Sequence, residues 1–318
     1  MRKRLCRILL FAAVLLLTGC GKTNPAPAGQ TADAGKNVLE EKDSQTEQKN
    51  FSGSEEVESE KEQQSFVISS GKTLKERIRV PEGYQRVSVK KGSLGDFLRN
   101  YKLKEDGSPV LLYDGTESYN QSDHMAVFKL PIEKEDLQQC ADSVMRVYGE
   151  YYYKKGQYGK IAFSLGGGFR ADFRTWSQRN GIAVNGNHVS WTLNPKNDSS
   201  YASFKRFMRI VFAYSGTLNL EEDSKKIKLK DLRIGDIFIK GGSPGHVVMV
   251  VDVSKNADGR KAFLLAQGYM PAQEFHVVKN PLHEEDPWYY EEEVSYPFMT
   301  ASYTFEKGAL RRLNFSGS

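Results

Sequence analysis

The chain has 318 residues, a formal net charge of +5 and 27 % charged residues. Three cysteines are too few for a disulfide scaffold, and the single apolar run near the N-terminus is too short for a polytopic membrane protein. The basic residues are scattered, and no helix-length segment is uniformly basic, so a nucleic-acid partner is not expected.

Residues 1–20 read as an export signal. Arg2, Lys3, Arg4 and Arg7 form a basic start, and Ile8 to Leu17 form a short apolar segment. It ends in Leu17-Thr18-Gly19-Cys20, which resembles the bacterial lipobox. That resemblance implies cleavage before Cys20, acylation of its thiol and a lipid anchor on the exported side of a membrane. Residues 21–70 follow with ten acids and five bases and with one aromatic, Phe51, before Phe66. Such a stretch cannot bury enough apolar surface to offset chain entropy, so a disordered acidic tether is expected.

Residues 71–318 carry 36 bases and 30 acids and read as a single globular domain. Arg77–Val80 and Gln85–Val89 read as extended, and Ser93 opens a short helix. Val110–Tyr113 and His124–Lys129 read as strands. The apolar stripe Leu137, Cys140, Ala141, Val144, Met145, Tyr148 and Tyr151 predicts a helix from Glu133 or Lys134 to about Lys154. Cys140 then lies two turns inside it, away from the field of the helix end. Ile161–Leu165 is expected as a strand, and Asp198 or Ser199 as the cap of a second helix, Tyr201 to about Tyr214. Leu232–Ile239 is a turn feeding a strand. His246–Val253 is apolar on both faces and therefore central. A turn at Asn256–Gly259 returns the chain through Ala262–Gln267.

With the turn centred near residue 257, antiparallel partners sum to about 514. His246 then faces residue 267 or 268, and Gln267 can orient the imidazole. After export only two thiols remain, and acylation of Cys20 leaves Cys140 free. This makes Cys140 the candidate nucleophile, His246 its base and Gln267 the orienting group. His124 and His188 are alternative bases. Gly245 leaves room for a substrate backbone. Arg170 and Asp172 are candidates for a substrate cleft or for an internal ion pair. A buried cysteine on a helix's apolar face is equally a small core residue, and His246 and Gln267 then serve only to tie down a loop. There is no zinc spacing, and no metal or cofactor is implied.

The order Cys140, Gly235-Asp236, Gly245-His246 and Gln267 resembles the papain-like superfamily in its bacterial envelope branch, the NlpC-type and CHAP-type cysteine peptidases and amidases. The resemblance implies an α+β papain-like fold, with an antiparallel sheet packed against helices and enlarged by insertions. It also implies thiol chemistry on peptide or peptidoglycan amides. A backbone N–H near Cys140 and the Gln139 or Gln138 amide would hold the oxyanion. A closer resemblance spans residues 78–310. The strings Leu137–Asp142, Gly168–Asp172, Gly235–His246 and Leu265–Gln273 are similar to the family named domain of unknown function 4846. That family name implies no activity. Gln139, Arg170, Asp172, Gly245 and Gln273 are the substrate-binding candidates. The rival reading is a non-catalytic envelope lipoprotein that binds wall glycan or a protein partner. A two-lobed solute-binding protein is disfavoured, because no repeated strand–helix rhythm is present.

Overall fold

The computed structural model describes residues 65–314. The expected export signal, Cys20 and most of the expected tether lie outside the described residues. The last tether positions belong to the fold: Val67 pairs with Ile78, and Phe66 packs on the core.

The fold is α+β, with one large antiparallel sheet and few helices. In chain order the elements that position the site are α1 (Leu94–Arg99), β1 (His124–Val127), α2 (Cys140–Lys154), α3 (Tyr201–Tyr214) and α4 (Thr217–Glu222). The later strands are β2 (Ser224–Lys226), β3 (Ile237–Lys240), β4 (His246–Lys255), β5 (Lys261–Gln267), β6 (His276–Val278) and β7 (Leu310–Leu313). Among the described residues nine strands form the sheet, in the order β1-β6-β5-β4-β3-β7-β2; Gln85–Arg86 and Tyr289–Tyr290 add to β4 and β5.

Strand alternation divides the core in two. Val247, Met249 and Val251 of β4 meet Val144, Met145 and Tyr148 of α2 and Phe204 and Met208 of α3. Val248 and Val250 point the other way, to Phe238, Phe263, Phe298 and Phe305. A bulge between Leu264 and Leu265 shifts the β4–β5 register, so that Ala266 pairs with Met249. Continuing that register sets Gln267 level with Val248, not with His246. The two side chains still meet, as diagonal neighbours on one face.

Two buried polar ties fix the frame. Asp252 of β4 receives Arg86 Nε at 2.6 Å and Arg99 Nε at 2.7 Å, which binds α1 and the N-terminal segment to the central strand. Asp236 accepts Arg312 Nε at 2.7 Å and Arg233 N at 2.8 Å. Gly235 beside it has φ +96, and a Cβ there would lie 2.7 Å from the Tyr148 hydroxyl, which donates to its carbonyl at 2.8 Å. The Gly-Asp pair is thus the hinge that leads the chain into β3 against α2.

Several expectations are corrected. Arg77–Val80 is not extended throughout, because Leu74–Arg77 forms one helical turn. Val110–Tyr113 makes only isolated bridges, Leu111 to Glu117 and Leu112 to Gln273. Helix α3 is capped by Ser200, whose hydroxyl accepts from Ser203 N at 3.2 Å; Asp198 instead accepts from Ser200 N at 3.0 Å. The hairpin Asn180–Asn185/His188–Leu193 was not anticipated. Most important for the site, α2 begins at Cys140 and not at Glu133 or Lys134. Residues 133–139 are held open by tertiary partners. Glu133 pairs with Arg146 and Arg209, Glu135 with Arg209, and Asp136 accepts Ala272 N at 2.7 Å.

Candidate functional site at the end of the central strands

Cys140 is the first residue of α2, with Gln139 as the N-cap, so the helix-end field that the longer predicted helix denied it is present. Asp142, at the third helical position, accepts from Gln139 N at 3.0 Å. The thiol is approached by the backbone N–H groups of Ala141, Val247 and Cys140 itself, which favour the thiolate. Burial, followed by the charge of Asp142, outweighs them and pushes the thiol up to about 11. The carboxyl of Asp142 is itself pushed far up by burial, and its Oδ1 is buried without a partner.

His246 opens β4, and its ring is caged by Tyr269, Tyr303 and Phe305 at centroid distances of 4.9, 5.0 and 6.1 Å. Burial lowers its pKa to about 4, against a hydrogen bond to Gln267 that raises it. The imidazole is therefore neutral near pH 7, and one proton must be assigned between two ring nitrogens.

The surrounding hydrogen bonds make that assignment. His276 Nδ1 lies 2.8 Å from the carbonyl oxygen of Glu274, which can only accept, so Nδ1 carries the proton and Nε2 a lone pair. Gln267 Nε2 donates to that lone pair at 3.3 Å and to Ser302 Oγ at 2.9 Å. Ser302 Oγ in turn donates to Asp123 Oδ2 at 2.7 Å, an oxygen that also takes Asn120 Nδ2. The Gln267 amide is thus oriented with Oε1 toward His246 Nε2, at 2.7 Å. His246 donates from Nε2, and its basic nitrogen is Nδ1.

Cys140 and His246 line one cleft of about 710 Å³, together with Gln139, Gly245, Tyr269 and Tyr303. No hydrogen bond joins the sulfur to the imidazole among those of the described residues. The other candidates are dispersed. Arg170 pairs with Asp223 at 3.6 Å, and Asp172 caps the short helix Phe173–Ser177 by accepting Thr175 N at 2.8 Å. Gln273 is buried and accepts from Ser118 Oγ at 2.9 Å. None of these three lines the cleft. Gln138 is fully buried between Pro131 O and Arg146. Gly245 lines the cleft, and loop packing by itself requires the glycine: a Cβ there would lie 2.3 Å from Gly242 O and 2.4 Å from Thr217 Oγ1. His124 holds Ser108 O at 3.1 Å and faces His276, and His188 sits in the separate hairpin.

His276, Ser302 and Asp123 escaped the sequence reading. The signal for His276 was available, since it sits directly opposite Gln267 on the next strand. Ser302 and Asp123 lie 179 residues apart and carry no local pattern. Among the described residues no group of three or more His, Cys, Asp or Glu side chains is placed to hold a metal, and no helix is long and apolar enough to cross a membrane.

With an antiparallel sheet, a helix-end thiol and a tautomer-fixed imidazole at one cleft, the molecule is a mixed α+β domain with a built polar site. Residues 74–312 match the family described as Domain of unknown function (4846), and the chain belongs to that family. No curated protein and no solved structure matches it.

Proposed function

We propose that the protein is a lipid-anchored envelope protein of papain-like fold and a thiol-dependent hydrolase or acyl-transferase acting on amides, peptide or peptidoglycan bonds included. The observation that carries the reading is the tautomer of His246. Its basic Nδ1 is left for the cleft that also holds a thiol at a helix N-terminus. Supporting the papain-like comparison are the helix-end thiol, the histidine opening the central strand and the amide on the neighbouring strand. The lipobox at Leu17–Cys20 supports the anchor.

In the step envisaged, the Cys140 S–H proton passes to His246 Nδ1 as sulfur bonds to the substrate carbonyl carbon. The carbonyl oxygen takes the negative charge and is held by the N–H groups around the sulfur. The C–N bond then breaks, and the proton on Nδ1 leaves with the amine. Water, or an acceptor amine or alcohol, gives its proton to Nδ1 and attacks the thioester; the C–S bond breaks and sulfur recovers the proton. Gln267 holds Nε2–H throughout, which keeps Nδ1 the exchanging atom.

A second reading, non-catalytic binding of wall glycan or a protein partner, is favoured by the thiol held near 11 and the lack of a sulfur–imidazole hydrogen bond. The test is a panel of envelope amides incubated with the full chain, with mass spectrometry of Cys140. Acylation of Cys140 and product release, both lost in Cys140→Ser and His246→Ala with unchanged circular dichroism, is the expected result. Turnover that survives Cys140→Ser, or a panel that never acylates Cys140, leaves the binding reading in its place.

A further inference from the structure

The cleft differs in charge from the domain around it. Residues 71–318 carry an excess of bases, yet among the described residues no Lys or Arg lines the cleft. Its formal charges come from Asp136 on the rim and the buried Asp142. Its walls are largely hydrocarbon and aromatic, from Leu137, Phe212, Leu218, Tyr269, Met270 and Tyr303, and the hydroxyls of Ser215 and Thr217 among them donate to backbone carbonyls. Leu218 and Met270 are 54 % and 63 % exposed, large apolar surface left uncovered at the mouth. His246 is no substitute for a cation, because it is buried and burial favours its neutral form.

A carboxylate or phosphate entering this space would lose much of its water and find no Lys or Arg, only the N–H groups at the start of α2, and it would face the Asp136 carboxylate on the rim. A hydrocarbon or uncharged aromatic chain would lose only apolar hydration, which favours entry. We infer that the group seated beside Cys140 is neutral and apolar, and that the substrates are amides or thioesters with an uncharged hydrocarbon acyl side. Carboxylate-bearing stem peptides are then poor occupants of this part of the cleft. The inference rests on the cleft being the functional site proposed above, and it narrows the substrate class of that site.

The test separates binding from chemistry. Cys140→Ser full chain, which cannot form a thioester, is titrated with octanamide and with suberic acid monoamide. The two have the same length and differ by a terminal carboxylate. Binding is followed by calorimetry and by NMR shifts of Tyr269 and Tyr303. Octanamide should bind at least roughly tenfold tighter. The double variant Leu218→Lys/Met270→Lys alters only exposed rim residues and should narrow or reverse the preference. Equal or tighter binding of the carboxylate, or no shift at either tyrosine with either compound, overturns the inference. A clear preference for octanamide in a protein whose Cys140 is never acylated sustains it while removing the hydrolase reading.

Discussion

Alkylation of Cys140 across pH reports directly on the resting state of the site. With Cys6 and Cys20 replaced by Ser, Cys140 is the sole thiol, and iodoacetamide labelling of native protein can be timed by mass. An ordinary cysteine with a pKa of about 8.5 is roughly 3 % thiolate at pH 7. Burial and the nearby Asp142 hold Cys140 near 11, which leaves about 0.01 % thiolate, roughly 300-fold less. A more basic thiolate is the better nucleophile, and a Brønsted slope of about 0.4–0.5 over this difference returns roughly tenfold to twentyfold. Labelling at pH 7 should therefore run roughly 15- to 30-fold slower than in urea-unfolded protein. It should rise about tenfold per pH unit up to pH 10, without an acid plateau. Because no hydrogen bond joins the thiol to His246, His246→Ala should leave this profile almost unchanged while abolishing any turnover. A plateau below pH 8 at or above the unfolded rate would refute the neutral resting pair. It would show instead a thiolate–imidazolium pair with a lowered thiol pKa.

The remaining predictions concern stability and the imidazole. Asp142 has a folded pKa above its unfolded value, so its contribution to stability falls as pH rises above about 3.8. Asp142→Asn should stabilise the fold at pH 7 by on the order of 1–2 kcal/mol, read as a raised melting temperature, and speed Cys140 labelling; a less stable variant with unchanged labelling counts against the orphaned carboxyl. His246 and His276 have folded pKa values lowered to about 4 from 6.5, so their contribution is complete above pH 6.5 and is lost as pH falls toward 4. This amounts to about 3 kcal/mol each, and urea denaturation at pH 7, 5.5 and 4.5 should show it. Asp252→Ala leaves Arg99 and Arg86 without their shared carboxylate and should cost about 3–5 kcal/mol, read as a lowered urea midpoint at unchanged m-value. In ¹⁵N spectra His246 should be the Nε2–H tautomer, and Ser302→Ala should mix the tautomers without unfolding the chain; a pure Nδ1–H form in the parent protein would reverse the assigned roles.

The central hairpin was legible because its signals are local. A continuous apolar run at 247–251, turn residues at 256–259 and a return strand define β4 and β5 with little help from elsewhere. The contact between His246 and Gln267 survives the unforeseen bulge because diagonal neighbours on one face still touch. The start of α2 was not legible. Leu137 continues the apolar stripe and no breaker separates Glu133 from Cys140, so periodicity runs past the true end. What stops the helix is distant: Arg209 on α3 and the Ala272 N–H compete for Glu133, Glu135 and Asp136. That seven-residue difference decides whether Cys140 is one more residue of a helical stripe or a thiol at a helix end. Arg170 and Asp172 stand side by side in sequence, and such proximity suggests a cleft. One is spent on Asp223 and the other on a helix cap, contacts that only the folded chain supplies.

The order of donors around His246 has a direction, and that direction bears on what the site is for. A structural histidine needs only to be satisfied, and either tautomer would do if Gln267 were free to turn its amide. Here the amide is not free. Turning it would set Oε1 against the lone pair on His276 Nε2, while Ser302 would lose the N–H it accepts. Ser302 is committed in turn by Asp123, which is also engaged by Asn120. Three side chains drawn from three parts of the chain therefore enforce one proton position on a buried ring that lines a cleft. Buried polar networks of this kind cost stability unless every member is paired. Along this one every member from Glu274 O to His246 Nε2 is paired, and the chain of bonds ends on a ring that lines the same cleft as Cys140. A lone pair held on that ring has a use in proton transfer that loop anchoring alone does not require. For this reason the catalytic reading is placed ahead of the binding one, although the resting thiol is protonated.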